Sequence, residues 1–170
     1  HLTKFYKTSH ATEFKNGHKE QYCSLHCQAQ IEEDHADKIK NIQVVDTNSL
    51  KFIDAKNAIY VVGSSKPGTM TPVSKYAFST KEEAVKFQKE FGGEIHTFDE
   101  SLDMAKKALI KENNAIDEKR VPMAIKGKKA FETMCDTKQT KDFNSVGEAK
   151  QYLIDNNVCK NLNPQMMQAV

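Results

Sequence analysis

Tyr60-Val-Val-Gly-Ser-Ser-Lys-Pro-Gly-Thr-Met-Thr-Pro-Val-Ser-Lys-Tyr-Ala-Phe-Ser79 begins as a β-branched strand, passes through a Gly/Pro loop, and leaves through a second short strand, Lys75 to Phe78. The loop carries one isolated methionine, Met70. Methionine usually packs on a periodic apolar face, whereas a soft sulfur ligand for Cu(I) is best displayed on a loop held between rigid strands. Met70 is therefore either a metal ligand or a loop anchor. Downstream, Ser79 or Thr80 caps a helix that runs through Glu90, and Gly92-Gly93 ends it before a strand from Glu94 to Phe98. Upstream lie Ile42 to Val45, Lys51 to Asp54 and Ala58 to Val62. These short runs are rich in Ile, Val, Phe and Tyr and separated by Asp/Asn/Ser turns, a pattern that predicts a second antiparallel sheet.

The N-terminal segment predicts a first hairpin: Thr3 to Ser9, Ala11 to Phe14, an Asn16-Gly17 turn, then His18 to Tyr22. Asn-Gly signals a hairpin because both residues tolerate positive φ. A helix follows Cys23, with Ser24 as N-cap, and runs to about Lys38. The two strand-to-helix joints align as Tyr22-Cys-Ser-Leu-His-Cys-Gln-Ala29 and Ala77-Phe-Ser-Thr-Lys-Glu-Glu-Ala84, each with a serine at the joint and an alanine five residues later. This points to a duplicated strand–strand–helix unit. The fold class is thus α+β, with antiparallel sheets and a C-terminal helical appendage. Residues 1–114 form the α+β domain and 115–170 a small helical extension. Ser101 to Glu112 is helical, the polar stretch Glu112 to Arg120 is a linker or exposed helix end, and further helices lie at about Gly127 to Cys135, Ser145 to Asn156 and from Pro164 onward.

The 170 residues suit one domain with a proper core plus an appendage. Because 25 basic residues nearly balance 23 acidic ones along the chain, no strong field exists to hold a polyanion, and nucleic acid is not an expected partner. No run approaches the length of apolar sequence needed to cross a bilayer. The chain starts at His1 without an initiator methionine, as a mature or trimmed form would.

Four cysteines fall into two groups. Cys135 and Cys159 sit on separate late helices and are bridged if the compartment is oxidising. Cys23 and Cys27 stand at the start of the first helix, where unpaired backbone N–H groups lower a thiol pKa, and Cys23 is placed for that effect. Thiolate and thioether together select Cu(I), so Met70, Cys23 and Cys27 form a candidate soft-metal set. On the plainer reading the cysteines are buried and Met70 fills a gap. Among the histidines, His10 at the end of the first strand and His96 on a strand near the core are kept as metal candidates, while His26 lies in the first helical turn beside Cys27. Met166-Met167 reads as apolar packing. Cys135 is followed by Asp-Thr-Lys-Gln, which excludes the Cys-x-x-Cys-His pattern of covalent haem. Phosphate loops, nucleophile elbows and zinc-protease motifs are missing, so no catalytic residue is expected.

Lys7-Thr-Ser-His-Ala11, Asn16-Gly-His-Lys-Glu-Gln-Tyr-Cys-Ser-Leu-His-Cys27, the Tyr60 to Phe78 segment, and Ala84 through Gly92-Gly-Glu-Ile-His-Thr-Phe-Asp-Glu100 together resemble the NosL family, the accessory lipoproteins of nitrous oxide reductase. The resemblance implies a periplasmic copper chaperone of denitrification with a duplicated fold like that of organomercurial lyase. Its cargo is Cu(I), its partner is nitrous oxide reductase or the assembly machinery, and it meets the membrane only through a lipid anchor outside this chain. Met70 matches the family's loop methionine. The family's Cys-x-x-Cys-Gly-Met segment would precede His1, so the chain is expected to carry a depleted site. Two other readings remain: a thiol-dependent enzyme on the same kind of fold, with Cys23 or Cys27 as nucleophile, and a protein-docking module without metal.

Overall fold

Asn16 and Gly17 carry the first chain reversal, and Gly17 takes the positive φ (+84°) that a tight hairpin demands. The structure, a computed structural model, describes residues 2–136, 138 and 141–160. Across this turn β1 (His10–Phe14) pairs antiparallel with β2 (Lys19–Tyr22), His10 facing Tyr22 and Glu13 facing Lys19. Ser24 then caps α1 (Leu25–His35), its Oγ accepting the Cys27 N–H at 3.3 Å. β3 (Ile39–Val45) returns antiparallel along the other side of β1, and β4 (Phe52–Asp54) adds outside β3, for the order β2-β1-β3-β4. The pattern then repeats. β5 (Ile59–Val62) and β6 (Lys75–Phe78) form a hairpin, Thr80 caps α2 (Lys81–Phe91), Gly92 ends it at φ +72°, and β7 (Glu94–Thr97) returns beside β5, for the order β6-β5-β7. The repeated unit is therefore hairpin, helix and returning strand, one strand longer than the joints alone indicate.

Several segments depart from the sequence reading. Thr3 to Ser9 is not a strand. It forms turns and a 3-10 helix at Tyr6–Thr8, because the Thr8 and Ser9 amides turn back to the Phe5 and Tyr6 carbonyls at 3.1 and 3.3 Å and the Ser9 hydroxyl to the Phe5 carbonyl at 3.2 Å, in competition with ladder pairing. The runs at 42–45 and 51–54 belong to the first sheet, since β3 pairs with β1 along the length of β1. Only 58–62 opens the second sheet.

Both sheets contribute to one core. On the second sheet the cross-strand triplet Ala77, Tyr60 and His96 shares one face, and Tyr76, Val61 and Ile95 share the other. The first face joins Leu25 and Ala29 of α1, Ile42 and Val44 of β3, and the helical residues Phe98, Leu102 and Ala105. The second is covered by α2, whose Phe87 ring lies 5.3 Å from Tyr76 and 5.0 Å from Phe78. Each large apolar side chain so buried stabilises the fold by roughly 1.5–3 kcal/mol. Thr12 Oγ1 donates to Gln28 Oε1 at 2.6 Å and fixes α1 against β1.

The helix α3 (Phe98–Met134) runs without a break through Glu112 to Arg120, read from the sequence as a linker or exposed helix end, and through Pro122. A proline inside a helix leaves one carbonyl without its amide partner. Residues 113–126 are exposed throughout, so water can satisfy that carbonyl, and Asp117–Arg120 at 3.6 Å adds an ion pair one turn apart. The chain divides into two units, His1–Lys111 and Glu112–Val170. No described helix is long and apolar enough to cross a membrane.

In the second unit Ser145 caps α4 (Val146–Asp155), and Cys135 and Cys159 are joined in a disulfide flanked by Asp136 N–H to Val158 O at 2.9 Å and Lys160 N–H to Met134 O at 2.8 Å. The helix expected from Pro164 and the pair Met166-Met167 lie outside the described residues. Replacing both bridged cysteines by serine is expected to cost this unit about 3 kcal/mol through a freer unfolded chain. Urea unfolding with and without reductant measures it.

Candidate metal centre

Cys23 ends the β2 arm and Cys27 stands in the first turn of α1. The Ser24 cap sets their spacing. Both thiols are free, their sulfurs lie 3.7 Å apart, and Ser24 Oγ sits 3.6 Å from Cys27 Sγ. Cys23 is 8% exposed and Cys27 half-buried. The helix terminus does not lower the Cys23 pKa as its sequence position suggests. Burial raises it first, and the neighbouring Cys27 adds to the rise, because two thiolates this close repel. Hydrogen bonds from the Cys23 backbone N–H and from the Ser24 side chain push the other way and do not offset that rise, and the Cys27 N–H is taken by the Ser24 cap.

Met70 is carried on the loop between β5 and β6. The loop's base is closed by Ser64 Oγ and Ser74 Oγ at 2.7 Å, and its side by Tyr76 Oη donating to Pro67 O at 3.1 Å. Gly68 is required here: a Cβ would sit 2.0 Å from the Thr71 carbonyl oxygen. Met70 itself has φ +63° and is 52% exposed. A non-glycine residue in the left-handed region is strained, and such strain clusters at functional positions. Its neighbour Thr69 is buried and bonded to Thr8 at 3.0 Å, while Thr8 Oγ1 donates to the Cys23 carbonyl at 2.8 Å. Thr8, Ser24, Leu25 and His26 on one side and Thr69, Thr71, Val73 and Lys75 on the other line one small crevice. The fold thus brings the loop of Met70 against the helix start that holds the thiol pair.

The two histidines retained from the sequence lie outside that crevice. His10 is 1% exposed, with Nδ1 3.0 Å from the Thr8 carbonyl and Nε2 3.0 Å from Tyr60 Oη. A carbonyl only accepts, so Nδ1 carries the proton and Tyr60 donates to Nε2. Burial lowers the His10 pKa to about 4 and raises that of Tyr60 well above its ordinary value. With both nitrogens engaged, His10 serves as a core hydrogen-bonding residue. His96 faces Tyr60 across β7 and lies between two carboxylates, Glu94 at 3.5 Å and Glu100 at 3.7 Å. The Glu100 pKa is lowered first by the backbone and side-chain hydrogen bonds from Thr97. Sequence reasoning set aside His26 and missed Thr8 and Thr69. The position of His26 between the cysteines was a usable signal, but nothing local marks the threonines.

Among the described residues no three of His, Cys, Asp or Glu converge in a way that could hold a metal ion. The soft donors near one another are the two thiols, and the loop that carries the Met70 thioether packs on the same crevice through Thr69 and Thr71; thiolate and thioether are donors whose chemistry suits Cu(I).

The NosL family matches this chain over residues 2–106. The crystal structure of the copper chaperone NosL from Shewanella denitrificans is 25% identical, with 55% of this chain and 78% of that chain covered and a TM-score of 0.49. None of the curated proteins matches. With its α+β unit matched almost throughout, the chain belongs to the NosL family.

Proposed function

We propose that this chain is a periplasmic Cu(I)-binding accessory protein, lipid-anchored outside residues 1–170, that passes copper to nitrous oxide reductase or to the machinery that assembles it. The observation that carries this reading is the free Cys23–Cys27 pair, with sulfurs 3.7 Å apart at the start of α1, in a chain of the NosL family. The Cys135–Cys159 disulfide supports the compartment, since such bonds persist where the surroundings oxidise.

Cu(I) is cargo here. It binds as the Cys23 proton leaves, and burial of the resulting charge is offset by the metal's own charge. The exposed Met70 thioether is the exchangeable donor: neutral and on the surface, it can be replaced by a ligand of the acceptor without proton movement. The buried Cys23 sulfur holds the ion until a second exchange.

The test is anaerobic Cu(I) titration in competition with a chromophoric chelator. Cys23→Ser and Cys27→Ser are each expected to weaken binding by roughly 100-fold or more, exceeding what loss of a supporting residue costs. Met70→Gly is expected to weaken it about tenfold, without loss of folding because glycine relieves the left-handed strain. Affinity should also fall with pH, by up to about tenfold per unit for each proton displaced. Equal affinities in all four proteins would overturn the proposal.

A further inference from the structure

We infer that Thr8 is the positioning residue of this copper site, its hydroxyl holding the Met70 loop in register with the segment that bears Cys23. The inference rests on the copper-binding reading above and adds a residue to it.

Thr8 is buried at the end of the 3-10 turn, and its Oγ1 has three oxygens in reach: Cys23 O at 2.8 Å, Thr69 Oγ1 at 3.0 Å and Phe5 O at 3.2 Å. A hydroxyl has one proton and two lone pairs. The Cys23 and Phe5 carbonyls can both only accept, and the shorter distance, 2.8 Å against 3.2 Å, assigns the Thr8 proton to Cys23, while the Thr69 hydroxyl can supply the proton of the second bond. One side chain therefore binds the main chain of a thiol residue and the residue next to Met70 at once. The other bonds of the loop have a different reach. Ser64–Ser74 closes its base, and Tyr76–Pro67 ties it to β6, the strand that follows it. The Thr8–Thr69 bond crosses from the loop to the cysteine segment.

The anchor is itself rigid. The Thr8 carbonyl takes the His10 Nδ1 proton, and His10 Nε2 accepts from Tyr60, which is buried at the centre of the second sheet. A polar line therefore runs from β5 through β1 to Thr8 and there divides toward Cys23 and toward Met70. Met70 is strained and half-exposed, so its placement depends on how its loop is held, and a misplaced donor lowers affinity even when every ligand is present.

The test uses the whole chain with Thr8→Val, which keeps the β-branched shape, Thr8→Ser, which keeps the hydroxyl, and Thr69→Val, which cuts the same bond from the loop side. Cu(I) affinity is expected to drop roughly tenfold in Thr8→Val and Thr69→Val and to be restored in Thr8→Ser. In the metal-free protein, amide exchange over residues 68–73 should quicken in the two valine variants and not in Thr8→Ser. Combined with Met70→Gly, Thr8→Val should cost little further affinity, because both act through one donor. Full additivity in that pair, or wild-type affinity in both valine variants, overturns the inference while leaving the copper reading intact. A wild-type protein that does not bind Cu(I), or whose binding ignores Cys23→Ser and Cys27→Ser, overturns both.

Discussion

Acidification from pH 6.5 to pH 4 is expected to destabilise the first unit by about 3 kcal/mol through His10 alone. The folded-state pKa is lowered to about 4 from an ordinary value of 6.5, because the ring is wholly buried. Between these values the unfolded chain binds a proton that the folded chain refuses, so stability falls as pH falls. Above 6.5 neither state is protonated and this contribution is flat. Below about 4 both are protonated and the loss is complete. The buried carboxylate Asp46 also has a lowered pKa, but its contribution is lost only at lower pH, below the ordinary carboxylate value. Urea unfolding followed by the near-UV tyrosine signal measures the effect, since Tyr6, Tyr22, Tyr60 and Tyr76 all lie in the first unit. His10→Gln keeps a donor and an acceptor but does not titrate, so its profile should be flat from pH 6.5 to about 5, and the carboxylates held below their ordinary value, Glu13, Glu20 and Glu100, add their loss only nearer pH 4. A flat wild-type profile would contradict the assigned role of His10.

Asp46→Ala is expected to cost about 3–5 kcal/mol, and Asp46→Asn distinctly less, in the same unfolding experiment. Asp46 is 1% exposed just beyond β3, where it accepts from the Asn48 and Ser49 amides at 3.4 and 3.1 Å, from the Ser49 hydroxyl, and from the Ser79 amide at 3.3 Å. Burial pushes its carboxyl up, and the hydrogen bonds from Ser49, Asn48 and Ser79 outweigh that push and hold it below the ordinary value. Beside it the Thr47 N–H donates to the Ala77 carbonyl at 2.8 Å. This one carboxylate therefore ties the end of the first sheet to the strand-to-helix joint of the second. Alanine would strand several inward-facing donors at once. A cost under 1 kcal/mol would show that the sheets are coupled by apolar packing alone.

Much of the fold was legible because its signals are local. Asn16-Gly17, the Ser24 and Thr80 caps and the Gly92-Gly93 stop each act within a few residues, and each is found where its backbone chemistry places it. The duplicated joint was legible for the same reason, although the second cap falls on Thr80, one residue past the serine aligned with Ser24. Strand partnership was harder. Residues 42–45 and 51–54 carry the same β-rich composition as 58–62, and nothing in composition says which sheet a strand joins. The stretch Glu112 to Arg120 reads as a linker or exposed helix end because it is polar, and α3 continues through it and through Pro122, since in an exposed stretch water can replace the bond that proline removes.

The chemistry divides along the same line. The residue types and spacing alone determined that soft donors were at hand: Cys23 and Cys27 four apart at a helix start, and Met70 on a Gly/Pro loop. Tertiary structure decided which of the candidate residues stand together. It tied the Met70 loop to the Cys23 main chain through Thr8 and Thr69, committed His10 to Tyr60, and set His96 between Glu94 and Glu100. It also reversed the direction of the Cys23 pKa, because burial and a second sulfur at 3.7 Å outweigh the hydrogen bonds from its own N–H and from Ser24. A donor's identity is written in one residue, whereas its exposure, its partners and its protonation depend on segments that only folding brings within reach.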